Sequence, residues 1–141
     1  MKTLYTARAK STGGRNGRTE TDDKILSLQL ATPGGNRPGT NPEQLFASGY
    51  AACFGSALEH VAKQGKIDIG QPEVAAEVTL NQDDNGYFIG VTLNVSLPSV
   101  DTATAEKLVG EAHQVCPYSK ATRGNIKVTL RANGQSLRQA A

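Results

Sequence analysis

The sequence predicts an α+β domain, on three observations. Period-two hydrophobic alternation recurs near both ends of the chain and in its middle. Two helical stretches with start and stop signals interrupt it. The resulting order is strands, helix, strands, helix, strand. At 141 residues the chain has the length of one ordinary domain spanning 1–141, with no internal repeat, low-complexity segment or linker.

Residues 3 to 10 alternate weakly, and Leu26, Leu28 and Leu30 alternate with Ser27 and Gln29, which predicts half-buried strands. Between them Gly13-Gly14-Arg15-Asn16-Gly17-Arg18 makes a charged turn. Residues 32 to 40 are punctuated by glycine and proline and form a loop. Thr40-Asn41-Pro42-Glu43 then supplies cap candidates, a proline suited to the first helical position and an acid suited to the positive end of the helix. This helix is predicted from Pro42 to Gln64, with Gly65 as its stop. Its centre, Ala47 to Ala57, carries almost no charge on any face, the pattern of a helix buried all round. Its small residues would let another backbone come close, as at a symmetric interface.

Val74, Ala76, Val78 and Leu80 alternate, Asp84-Asn85-Gly86 supplies a turn, and alternation resumes from Tyr87 to Leu97, which predicts a hairpin. Asp101 caps a second helix reaching about Val115, ahead of Pro117, because proline disfavours helical geometry in the residue before it. Cys116 therefore falls at a helix break. Pro117 to Thr122 forms a short further helix ending at Gly124, and Ile126, Val128 and Leu130 mark a last strand. The terminal Arg138-Gln139-Ala140-Ala141 is expected to fray.

Hydrophobic residues make up 38% of the chain and aromatics 5%, with no Trp. Such a core, built of Ala, Val, Leu and Ile, is thin for its length, and burial against a second subunit would help it. The net charge is +2 with both signs interspersed, so there is no basic stripe for a nucleic acid. The longest apolar stretch, Tyr50 to Leu58, is far short of the ~20 residues that span a bilayer, which argues against a membrane protein. The first eight residues lack the apolar run and cleavage site of a secretory signal, so the expected compartment is the cytoplasm. There the two cysteines are expected to be buried apolar residues or reactive thiols. Their wide separation argues against a zinc pair, and no metal site is expected.

Read alone, each candidate residue has a plain structural explanation. Cys53 is a small apolar residue in a packed helix, or a nucleophile. Cys116, ahead of Pro117 and a short helix, would feel backbone N–H groups that favour thiolate. Arg15 is a solvated loop charge, although its glycine neighbours let the backbone press close to something. Glu43 is a first-turn acid. His60 shares the face of Cys53 but stands about 10 Å further along the helix, too far for direct proton transfer. His113 could reach Cys116, yet a polar helix face explains it as well.

Four segments change this reading: Thr12-Gly13-Gly14-Arg15-Asn16-Gly17, Gly39-Thr40-Asn41-Pro42-Glu43-Gln44-Leu45-Phe46, Gly49-Tyr50-Ala51-Ala52-Cys53-Phe54 and Val115-Cys116-Pro117-Tyr118-Ser119. Together, and in this order, they resemble the organic hydroperoxide resistance proteins, a branch of the osmotically inducible protein C superfamily. The Val-Cys-Pro-Tyr-Ser segment is similar to that branch rather than to the others. The fold the resemblance implies is α+β, with antiparallel sheets and a long buried central helix, in an intertwined homodimer with its active sites at the subunit interface. The activity it implies is a thiol-dependent peroxidase, an organic hydroperoxide reductase acting on alkyl and fatty-acid hydroperoxides in oxidative stress defence. No bound cofactor is implied; the external reductant would be a dithiol, the lipoyl groups of partner proteins. Matched residue by residue, Cys53 falls on the peroxidatic cysteine, Cys116 on the resolving cysteine, Arg15 on the arginine that assists the thiolate, and Glu43 on the acid that orients it. The chain departs from the pattern at Arg18-Thr19-Glu20, where Arg18 could partly substitute for Arg15, and at Lys120.

An ordinary thiol of pKa ~8.5 is only about 3% thiolate at pH 7. Lowering the pKa to ~6 would take about 3.4 kcal/mol of differential interaction, which Arg15 must supply against the burial of Cys53. Glu43 would hold the guanidinium by a two-pronged pair. The rise from Glu43 to Cys53 is about 15 Å on a continuous helix, so either the helix breaks near Gly49 or the site mixes two chains. The apolar neighbours Leu45, Phe46 and Phe54 suit a long alkyl chain as substrate-binding residues. The competing readings are a redox sensor or binding protein without sustained turnover, and a structural dimer with incidental thiols.

Overall fold

The computed structural model describes residues 1–137, and the terminus expected to fray lies outside them. The chain divides into two compact units, Met1–Leu45 and Phe46–Ala141.

The first unit is a three-stranded antiparallel sheet of β1 (Ala9–Thr12), β2 (Arg18–Thr21) and β3 (Ser27–Gln29), in the order β1-β2-β3. The connection from β1 to β2 is a tight turn with a 3-10 segment at Gly14–Asn16. It needs glycine: Gly13 has φ +83°, and a Cβ on Gly17 would lie 1.6 Å from the Thr12 carbonyl oxygen. The strand expected over residues 3 to 10 begins only at Ala9, because its partner β2 ends at Thr21, opposite Ala9. β2 escapes the sequence reading because Arg18, Thr19, Glu20 and Thr21 contain no apolar residue to alternate. β3 stops short of Leu30, which bridges to Thr40 instead.

Helix α1 runs Pro42–Gln64 without interruption at Gly49, and the boundary between the units falls in its first turns. The amide of Gly65 donates to the Val61 carbonyl at 3.0 Å, and Lys66 takes the left-handed turn with φ +55°. Burial of α1 is one-sided, unlike the expectation from its uncharged centre. Tyr50, Phe54, Ala57, Leu58, Val61 and Ala62 are buried, while Ser48, Ala52 and Ser56 are exposed. One chain covers only the stripe of large residues; the small residues opposite have nothing over them.

The second sheet holds β4 (Glu73–Asp83), β5 (Gly86–Ser96), β6 (Val128–Ala132) and β7 (Gln135–Ser136), in that order. β4 and β5 form the expected hairpin, closed at Asp83 opposite Gly86. The sheet is mixed rather than antiparallel: β6 runs parallel to β5. The chain between them crosses over through helices α2 (Thr102–Val115) and α3 (Pro117–Thr122), which returns β6 in the direction of β5. β7, not expected, follows the Asn133-Gly134 turn, with φ +49° and +86°, the strongest short hairpin signal a sequence can carry.

One hydrophobic core joins these elements. Val91, Leu93 and Val95 of β5 and Val128, Leu130 and Ala132 of β6 present one face of the sheet to Tyr50, Phe54 and Leu58 of α1 and to Ala105, Leu108, Val109 and Ala112 of α2. Asp101 caps α2, its carboxylate accepting from the Thr104 amide at 2.7 Å. Cys116 ends α2 in extended geometry and is also the residue from which α3 starts, with Pro117 in its first turn. Among the described residues no helix is long and apolar enough to cross a membrane, and no cluster of side chains could hold a metal ion.

Candidate functional site

The four candidate residues fall into two pairs, one in each unit. In the first unit, Arg15 at the glycine turn donates from both terminal guanidinium nitrogens to the two carboxylate oxygens of Glu43, at 2.9 and 2.8 Å. Glu43, in the first turn of α1, is held below the usual carboxylate range by the Arg15 hydrogen bonds, and Glu43 in turn holds the guanidinium charged. Side-chain exposure is 48% for Arg15 and 14% for Glu43, so the pair keeps the guanidinium in place while leaving much of it uncovered. Arg18 is engaged separately, donating to Ser27 on the neighbouring strand at 2.8 Å. Leu45 is half-buried in the first turns of α1.

In the second unit, the sulfurs of Cys53 and Cys116 lie 3.5 Å apart, both as free thiols. α1 supplies Cys53, half-buried, and the α2–α3 break supplies Cys116, fully buried. Closing this gap to a disulfide of about 2.05 Å takes a shift of about 1.5 Å, within the reach of small side-chain movements. Burial pushes the Cys53 thiol up, and the neighbouring Cys116 pushes the same way; the backbone N–H of Tyr118 donates to Cys53 and opposes both. Among the described residues of its own unit, then, the Tyr118 backbone N–H favours the Cys53 thiolate and no cation does.

Aromatic and polar residues not expected at the site pack against one another on α1, α2 and α3, the elements that supply the two cysteines. Tyr118 packs against Phe46 and Tyr50, with ring centroids 5.9 and 5.6 Å away. The Tyr50 hydroxyl bonds Ser119 at 2.8 Å and Thr122 at 3.0 Å, and Ser119 bonds His113 Nδ1 at 2.8 Å. His113 is therefore a buried member of a network that ties α1, α2 and α3 together, not part of a polar helix face, and its carbonyl accepts from the Arg123 guanidinium. His60 is exposed. Of the apolar residues expected to meet substrate, Phe46 is half-buried at the core edge, but Phe54 is fully buried. Phe54 stands one turn after Tyr50 on the core face of α1, which leaves it no surface for a ligand. Tyr118 and Tyr50 lay inside the motifs quoted above; their roles could not be read there because packing across helices leaves no periodic trace.

A free dithiol at the junction of three helices, over a mixed sheet, places the molecule in a known class. The OsmC-like protein family matches residues 34–131, and the chain belongs to it. Within that family the chain is similar to several organic hydroperoxide resistance proteins. It is 51% identical over 134 residues to the organic hydroperoxide resistance protein of Xanthomonas axonopodis pv. citri, covering 92% of this chain and 94% of that one. It is 50% identical over 132 residues to the organic hydroperoxide resistance protein OhrB of Bacillus subtilis, covering 90% and 96%. The crystal structure of the Bacillus subtilis OhrB superposes with a TM-score of 0.88 at 48% identity, over 92% of this chain and 98% of that one. An organic hydroperoxide resistance protein of Legionella pneumophila superposes with a TM-score of 0.87 at 49% identity, over 92% and 98%.

Proposed function

We propose that this chain is a cytoplasmic thiol peroxidase that reduces organic hydroperoxides to alcohols in oxidative stress defence. The observation that carries the reading is the free, closely approached pair of Cys53 and Cys116; the names of the relatives supply the substrate class. The Cys53 thiolate attacks the O–O bond of ROOH, one oxygen passes to sulfur as Cys53 sulfenic acid, and RO⁻ takes up a proton to leave as ROH. Cys116 condenses with the sulfenic acid, releasing water and forming the Cys53–Cys116 disulfide. An external dithiol, the lipoyl group of a partner protein, reduces this disulfide and closes the cycle without a bound cofactor.

Arg15 is the cation that favours the Cys53 thiolate and the charge developing on the peroxide, and Glu43 orients it. The continuity of α1 through Gly49 removes a helix break as a way of bringing Glu43 to Cys53, which supports a site shared by two chains. The uncovered small face of α1 and the exposed Leu4, Tyr5, Ile25 and Leu26 also support an intertwined homodimer. Leu45 and Phe46 belong to the apolar wall that meets the alkyl group of the hydroperoxide.

Mixing tests both parts of the reading. Arg15→Ala and Cys53→Ser homodimers, each inactive with cumene hydroperoxide and dihydrolipoamide, regain activity when subunits are exchanged, because one intact site forms in each mixed dimer. Failure of the unmixed parent to turn over repeatedly would leave a redox sensor as the reading. A parent that turns over, with no recovery on mixing, would place Arg15 and Cys53 of one site in the same chain.

A further inference from the structure

Cys53 follows Gly49 by one helical turn, so the two positions share a face of α1. That face is bare at Gly49, and the Tyr118 side chain fills the space. A Cβ on Gly49 would lie 2.6 Å from the Tyr118 hydroxyl oxygen and 3.2 and 3.3 Å from its ring carbons Cζ and Cε2. Helix interiors disfavour glycine by about 1 kcal/mol relative to alanine, and Gly49 has an ordinary helical conformation, absent from the positive-φ residues. Close approach of Tyr118 is thus the physical use of the missing side chain.

Tyr118 belongs to α3, a single short helix that starts from Cys116. α3 is fastened to α1 at two places: the Tyr118 ring over Gly49, and the Tyr50 hydroxyl bonded to Ser119 and Thr122. Both fastenings lie within six residues of Cys116, so they set where its sulfur stands against Cys53.

We propose that Gly49 and Tyr118 form a seat fixing the approach of Cys116 to Cys53, with Tyr118 a positioning residue for disulfide formation. The physiological meaning of the seat rests on the peroxidase reading above. In that cycle the Cys53 S–O bond breaks as the S–S bond forms; the sulfenic sulfur is reduced, the Cys116 sulfur is oxidised, and hydroxide leaves with the Cys116 proton as water. A displaced Cys116 gives a second hydroperoxide time to oxidise the sulfenic acid to sulfinic acid, releasing a second ROH. The seat is thereby a guard against inactivation.

The test uses the full chain with Gly49→Ala, Tyr118→Leu and both changes together. Reduced protein receives one equivalent of cumene hydroperoxide, and quenched samples are resolved by mass into thiol, dimedone-trapped sulfenic acid, disulfide and sulfinic acid. Gly49→Ala is expected to leave the loss of thiol within about twofold while slowing disulfide formation about tenfold or more, the scale of a misplaced reacting atom. In a parallel series from one to ten equivalents, sulfinic acid then appears at a lower dose than in the parent. Tyr118→Leu acts in the same direction, and with Tyr118 gone the added methyl at Gly49 has no further effect beyond about twofold. Diamide, which oxidises the two thiols to the same disulfide without peroxide, reads the same geometry whether or not the chain is a peroxidase. Unchanged disulfide formation with diamide in both single variants overturns the seat. An unreactive parent toward hydroperoxide, with slowed diamide oxidation in the variants, overturns the peroxidase reading and leaves the seat standing.

Discussion

The Arg15–Glu43 pair and the Cys53–Cys116 pair are held in place by opposite means. The first is fixed by two charge-assisted hydrogen bonds on a turn and a helix start, in a unit whose β1 is exposed along its whole length. The second is fixed by packing, with Cys116 at 0% exposure among the core residues of β5, β6, α1 and α2. Charge pairing on exposed ground gives orientation but little stability. Packing gives stability and a fixed distance, but it penalises the thiolate that the proposed chemistry needs. Among the described residues each pair therefore lacks what the other has: the guanidinium has no buried nucleophile in its own unit, and no cation in its own unit favours the Cys53 thiolate.

The largest effects come from breaking the packed pair. Cys53→Ser is expected to bring hydroperoxide consumption down to the uncatalysed rate, with the fold intact by circular dichroism. Cys116→Ser keeps the first step and stops at sulfenic acid, which dimedone traps. Repeated turnover by Cys53→Ser would refute the assigned nucleophile. The next effect tests whether the two pairs meet. Burial and the neighbouring Cys116 hold the Cys53 thiol above its ordinary range, so a site completed by Arg15 shows a lower alkylation midpoint than an isolated thiol. Arg15→Ala is expected to raise that midpoint by about 1–3 pH units. Arg15→Lys restores the charge without the two-pronged geometry and recovers only part of it. An identical midpoint in all three proteins would separate the pairs.

The difference between the units also governs stability. Leu93→Ala, at a fully buried position facing α1 and α2, is expected to cost about 2–5 kcal/mol in urea unfolding. Lys10→Ala, on exposed β1, is expected to stay within about 0.5 kcal/mol. A large cost at Lys10 would mean that the first sheet is covered by something the single chain does not supply, and a concentration-dependent Tm would identify it as a second copy.

The same contrast decides what was legible in the sequence. Helix α1 reads from Pro42 to Gln64 because its caps and stop are local, as are the Asp101 cap and the β4–β5 turn. β2 does not read, because a strand of Arg, Thr, Glu and Thr has no hydrophobic alternation. The parallel pairing of β6 does not read either, since direction is set by the crossover and not by the strand. Among the reactive residues, the spacing of Cys53 and Cys116 says nothing of their proximity; the resemblance pointed to them, and their 3.5 Å approach comes from the core that joins α1 to the α2–α3 break. The one-sided burial of α1 shows a limit of pattern reading. An uncharged helix must be covered, but the pattern cannot say whether by its own chain or by another.

The smallest expected effect asks whether exposed polar contacts remain minor even where they belong to the densely packed unit. Asp101 caps α2 through the Thr104 amide, and hydrogen bonding from the Thr104 side chain, together with that from its amide, holds the carboxyl below the ordinary range. A depressed folded pKa stabilises above the unfolded carboxylate value, near 4, and the contribution fades as pH falls through the folded one. Asp101→Ala is therefore expected to lower Tm by about 3 °C at pH 7 and by less at pH 2.5, because acidification takes the parent cap toward its uncharged form. Asp101→Asn keeps an acceptor for the Thr104 amide without a titrating charge, so its Tm should stay near the parent at pH 7 and lose less on acidification. Differential scanning fluorimetry at the two pH values separates the cases. A drop in Asp101→Ala that is equal at both would assign the cap's contribution to geometry alone, and α2 would then owe its start to the core residues Ala105 and Leu108 rather than to the charge ahead of them.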